Sequence, residues 1–102
     1  MYVILWEFEA EPHRQREFES AYGPGGSWAR LFRKAEGFVA TELLRDPETP
    51  GRSLTIDRWE SRTAFEAFRQ RFAAEYEEID RACESLTRRE TLIGRFEMAE
   101  QR

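Results

Sequence analysis

The side chains able to do chemistry in this chain are few and far apart. His13 is the only histidine, the one side chain with a reference pKa near neutrality. It follows Glu11-Pro12 at a strand-to-helix junction, where pocket mouths form. It reads either as a surface residue or as a proton relay. Arg58 shares strand parity with Leu54 and Ile56. An inward guanidinium there needs a carboxylate, a phenolate or a ligand, whereas a position near the strand end equally lets it reach solvent. Trp6, Tyr22 and Trp28 can wall a pocket for a flat molecule or simply fill a core. Together these five residues would suit one chemistry: an aromatic cage holds a phenol, Arg58 stabilises its oxyanion and His13 takes the proton.

Other chemistries find less support. Cys83 is the only cysteine, so no intrachain disulfide can form, and its place on an apolar helical stripe reads as a buried filler. One His and one Cys seventy residues apart offer no metal-ligand spacing. No serine stands in a Gly-x-Ser-x-Gly elbow, and Gly23-Pro24-Gly25-Gly26 lacks the strand and lysine of a phosphate loop, so it reads as a helix-breaking turn. No cofactor is expected. The formal net charge of −4, with Arg and Glu interleaved and Lys34 the only lysine, argues against nucleic acid and anionic membranes. The opening run Met1–Glu9 is too short and too soon acidic for a signal peptide or a membrane span, which leaves the cytoplasm as the expected location.

The elements that must position these residues follow from periodicity. A length of 102 residues suits one domain over residues 1–102 with a single core. A strand is expected at about 2–9, with Tyr2, Ile4, Trp6 and Phe8 on one face and Val3 and Leu5 on the other. A helix from about 12 to 22 follows, opened by Pro12. A second helix carries Trp28, Leu31, Phe32 and Ala35. Gly37 ends it, and a strand runs from Phe38 to Arg45. The turn formers Asp46–Gly51 join it as a hairpin to a Leu54–Glu60 strand. There the apolar period changes from two to about 3.6, and a long helix after Ser61 aligns Phe65, Phe68, Phe72, Tyr76, Ile79 and Cys83. A polar link, 84–89, leads to a last strand, Glu90–Glu97.

This order predicts an α+β, ferredoxin-like βαββαβ domain: a four-stranded antiparallel sheet with helices on one face. With Tyr2, Ile4, Trp6, Phe8, Leu54, Ile56, Leu92 and Phe96 assigned to the helices, Val3, Leu5, Val39, Leu43, Trp59 and Ile93 remain on the other face. A patch of that size implies a cover, and a second copy is the economical one.

The segment Trp59-Glu60-Ser61-Arg62-Thr63-Ala64-Phe65 resembles the Trp-x-Ser-x-x-Ala-Phe signature of the antibiotic biosynthesis monooxygenase family, in the dimeric α+β barrel superfamily, and Gly37-Phe38 is similar to that family as well. The resemblance implies a homodimer joined sheet to sheet, with a pocket between sheet and helices in each protomer. Glu78 and Phe68 stand where the haem-degrading branch carries its iron-ligating His and second Trp, so haem is disfavoured. Two readings follow. One is a cofactor-independent monooxygenase of a small aromatic, phenol- or quinol-type substrate, with His13 and Arg58 catalytic and Trp6, Tyr22 and Trp28 binding. The other is a non-catalytic dimeric module for a small ligand or a protein partner.

Overall fold

In the computed structural model, which describes residues 1–99, β1 (Tyr2–Ala10) leads through a turn to α1 (Gln15–Tyr22) and α2 (Ser27–Phe32). The hairpin β2 (Phe38–Arg45) and β3 (Arg52–Trp59) follows, then α3 (Arg62–Arg71), α4 (Ala73–Cys83), a 3-10 turn at Glu84–Leu86 and β4 (Thr87–Glu97). The strands form one antiparallel sheet in the order β2-β3-β1-β4. This is the expected ferredoxin-like α+β architecture, with β1 and β3 central. None of the described helices is long and apolar enough to cross a membrane.

Boundaries differ from the periodicity in several places: α2 ends at Phe32 and leaves Ala35 outside it, and β3 starts at Arg52 rather than Leu54. The first helix starts at Gln15 rather than Pro12, because Glu11–Arg14 closes a turn through Arg14 N–H to the Glu11 carbonyl at 2.9 Å. The long helix breaks at Phe72 (φ −109°, ψ 26°), although neither Gly nor Pro occurs between 61 and 83. The last strand begins at Thr87, inside the expected polar link.

The larger correction concerns which way β3 faces. Its buried residues are Ser53, Thr55, Asp57 and Trp59, so Leu54, Ile56 and Arg58 point to the sheet face that no helix covers. The register agrees: Ile4 lies opposite Asp57 and Tyr2 opposite Trp59, whereas Leu5 lies opposite Ile56 and Val3 opposite Arg58. Hydrophobicity misleads here because the outward face of β3 carries apolar residues although no helix covers it, while its inward face lines a cavity that admits polar ones. Leu43, opposite Thr55, packs on the core rather than on the bare face. On β4 an irregularity at Ile93 shifts the alternation, and Phe96 joins Val3 on the bare face while Arg95 turns toward the helices beside Ile4.

The Trp59–Phe65 motif is the joint between sheet and helix. Trp59 is fully buried, with ring centroids 4.9–5.7 Å from those of Phe32, Phe38, Phe65 and Phe68. Ser61 caps α3, its Oγ accepting from Ala64 N–H at 3.0 Å, which satisfies one of the free donors of the first turn. Gly37 (φ 88°) accepts from Glu60 N–H at 2.7 Å, and a Cβ there would lie 2.5 Å from that of Ala64.

Candidate functional site

Between the inner sheet face and the helices lies a cavity of about 380 Å³, within the range of small-molecule pockets. Its floor is Ile4, Trp6 and Phe8 of β1 with Thr55 and Asp57 of β3; Glu90 and Arg95 of β4 form one side. The helices close it with Tyr22, Trp28, Phe32, Phe65, Arg69, Tyr76 and Asp80. The roof aromatics hold one another: Tyr76 meets Trp28 edge to face at 4.9 Å, and the Arg69 guanidinium lies 3.8 Å from the Tyr76 ring centroid.

Asp57 dominates the electrostatics. It is 8% exposed, and desolvation pushes its carboxyl from 3.8 up to about 6, against the opposing effect of the Thr41 hydroxyl, which donates to Oδ1 at 2.5 Å. The second oxygen takes no hydrogen bond from the described residues and is not among the buried atoms left without a partner. It is therefore open to the cavity. A carboxylate of that basicity behind aromatic walls can accept a proton near neutral pH.

Its surroundings carry both signs of charge, the carboxyls of Asp80 and Glu90 and two guanidiniums. Arg69 and Arg95 line the same cavity, and among the described residues neither forms an ion pair. Tyr22 donates to Glu90 Oε1 at 3.3 Å, and burial first, then the Glu90 charge, raises its phenol far above the ordinary value. It stays neutral, a donor and a wall. Burial likewise raises Tyr76 and the Cys83 thiol. Among the described residues the buried Trp28 Nε1 has no hydrogen-bond acceptor. A wider groove of about 690 Å³ lies by the β2–β3 turn; of its four arginines Arg45, Arg52 and Arg88 are matched with carboxylates, and Arg16 is not among the described residues' ion pairs.

Of the five residues singled out in the sequence, the structure brings Trp6, Tyr22 and Trp28 together around the cavity. His13 is exposed on the turn before α1, away from the cavity lining. Of the two placements open to Arg58, the structure shows the outward one, on the bare sheet face in an ion pair with Glu42, while Asp57 one position earlier points inward. Cys83 is buried, as its stripe implied. Sequence reasoning missed Asp57, Arg69, Tyr76 and Arg95. Asp57 shares parity with Trp59, so a buried Trp59 was the signal that would have turned it inward.

A βαββαβ sheet with a walled cavity beneath its helices defines a ferredoxin-like α+β domain. The sequence profile of antibiotic biosynthesis monooxygenases matches residues 1–82, and the chain belongs to that family. Among solved structures, an asparagine-to-alanine variant of SnoaB, a cofactor-independent oxygenase from Streptomyces nogalater, is 22% identical with a TM-score of 0.76, over 98% of this chain and 94% of that one. A proposed antibiotic biosynthesis monooxygenase from Bordetella bronchiseptica is 19% identical, with a TM-score of 0.73 and 97% of each chain covered. A conserved protein from Methanosarcina mazei is 11% identical, with a TM-score of 0.70 over 93% of this chain and 89% of that one. At these identities the likeness is one of fold. No curated protein matches the chain.

Proposed function

We propose that the protein is a cofactor-independent monooxygenase of a small phenol- or quinol-type substrate, working as a homodimer joined through its bare sheet faces. The observation that carries the reading is the buried, cavity-facing carboxylate of Asp57 beneath an aromatic cage. The supporting context is family membership.

In this mechanism Trp6, Tyr22 and Trp28 bind a flat ring, and Asp57 Oδ2 removes a proton from it. Arg69 and Arg95 offset the charge of the resulting anion, and that pairing strengthens as the bound ring displaces water from the cavity. The electron-rich anion passes one electron to dioxygen, and the radical pair joins as a carbon-bound peroxide that takes up the proton held by Asp57. Loss of water from a ring CH(OOH) leaves a carbonyl, so that CH₂ and O₂ become C=O and H₂O. The substrate supplies all the electrons.

Oxygen uptake with a panel of hydroquinones and polycyclic phenols tests this. Turnover by the parent chain is expected, with Asp57→Asn at least about 100-fold slower, the usual worth of a positioned base. His13→Ala should match the parent, because the imidazole lies outside the cavity. No turnover by the parent across the panel would leave the non-catalytic ligand-binding module as the reading.

A further inference from the structure

We propose that Thr41 is a positioning residue: its hydroxyl holds Asp57 by one oxygen, turns the other toward the cavity and sustains the charged form that accepts the substrate proton. This rests on the role given to Asp57 above. Thr41 stands directly opposite Asp57 in the β2–β3 register, and both side chains are buried. The Oγ1–Oδ1 contact at 2.5 Å is the one hydrogen bond that the Asp57 carboxyl makes among the described residues. A hydroxyl has a single proton, and giving it to Oδ1 commits that oxygen as an acceptor. Oδ2 is then the oxygen left free to take a proton from a ligand. The carboxyl is thereby held at one end only, with its orientation fixed by the sheet rather than by a flexible partner.

The arrangement also sets where Asp57 titrates. A donor to the ionised carboxyl opposes the desolvation that otherwise neutralises it. The other charged or titratable groups lining the cavity are Tyr22 on α1, Arg69 on α3, Tyr76 and Asp80 on α4, and Glu90 and Arg95 on β4. They remain in place when only Thr41 changes, so a Thr41 variant isolates the hydroxyl. Valine keeps the shape of threonine without the donor, and serine keeps the donor without the methyl group.

The test is a carbon-13 titration of the Asp57 carboxyl in the ligand-free protein, run beside the pH profile of kcat/KM for a hydroquinone that turns over. In Thr41→Val the carboxyl is expected to titrate at higher pH. Its kcat/KM should be about three- to tenfold below the parent at pH 6 and within about twofold of it at pH 9. Thr41→Ser should restore both readings, and Thr41→Ala replaces Thr41→Val if thermal melts show that valine prevents folding. An Asp57 titration unchanged in the donor-less variants overturns the proposal, as does an equal loss of kcat/KM at every pH. A parent chain that turns nothing over defeats the oxygenase reading alone, and the titration still decides whether Thr41 governs the ionisation of Asp57.

Discussion

A carboxylate removed from water is an expense for the fold wherever it is charged. In the unfolded chain the Asp57 carboxyl has its ordinary value of 3.8, and burial raises it to about 6 in the folded protein. Between those values the folded state binds more protons. The contribution of Asp57 to stability is therefore greatest below about pH 4, falls as pH rises through about 6, and is flat above. The full difference corresponds to about 3 kcal/mol. Asp57→Asn keeps an acceptor for the Thr41 hydroxyl and removes the charge. It is expected to melt higher than the parent at pH 8 and close to it at pH 4, followed by circular dichroism; equal melting temperatures at pH 8 would show that the carboxylate is well solvated in the cavity. The same residue shows why the site was only half legible in the sequence. Trp6, Tyr22 and Trp28 announce themselves because large aromatics are buried in any compact domain of this size. Asp57 does not, because an acidic residue between Ile56 and Arg58 looks like the polar side of a strand. Arg69 and Arg95 were hidden for a related reason, being two among many arginines on a charged surface.

The elements were easier to read, and the tightest of their joints explains why the Trp59–Phe65 motif marks the architecture. Ala64 sits where the first turn of α3 passes over Gly37, and the glycine combines a positive φ with almost no space for a side chain. Gly37→Ala meets both obstacles and should destabilise the protein by about 1–3 kcal/mol. The double variant with Ala64→Gly removes the contact but not the strained φ, so it should recover part of the loss beyond the sum of the single changes, corrected for the helix-weakening glycine. Urea denaturation of the four proteins reads this coupling, and strict additivity would mean that the two residues do not meet. Element order and type were written in the periodicity because strands and helices here have distinct apolar repeats. The break at Phe72 was not, since no glycine or proline marks it. The phase of β3 was not either. Alternation shows that two faces differ, but when one covers a polar cavity and the other a bare apolar sheet, it does not say which is inside.

At the scale of the whole molecule, the inverted β3 changes what a partner would meet. The bare face carries Val3 and Leu5 of β1, Leu54 and Ile56 of β3, Leu44 of β2 and Phe96 of β4, the last two 45% and 49% exposed. Two of its cations are already paired within the chain, Arg58 with Glu42 and Arg52 with Glu7, so covering those pairs strands neither charge. Four strands about 4.8 Å apart and roughly eight residues long present a projected area of about 500 Å². The accessible area of such a corrugated surface is larger, which brings it toward the roughly 800 Å² that each partner gives to an ordinary stable interface. The expected species at micromolar concentration is a two-fold dimer with twice the chain mass of 12.1 kDa. Leu5 and Ile56 lie opposite each other in register on the two central strands. A glutamate at position 56 would stand opposite Glu42 in register and put a further carboxylate at the centre of the apolar patch. Ile56→Glu should therefore give a 12.1 kDa monomer with the parent's far-ultraviolet circular dichroism, because the substituted side chain lies outside the core. Light scattering decides the matter: a parent chain already at the monomer mass would mean that this face meets something other than its own copy.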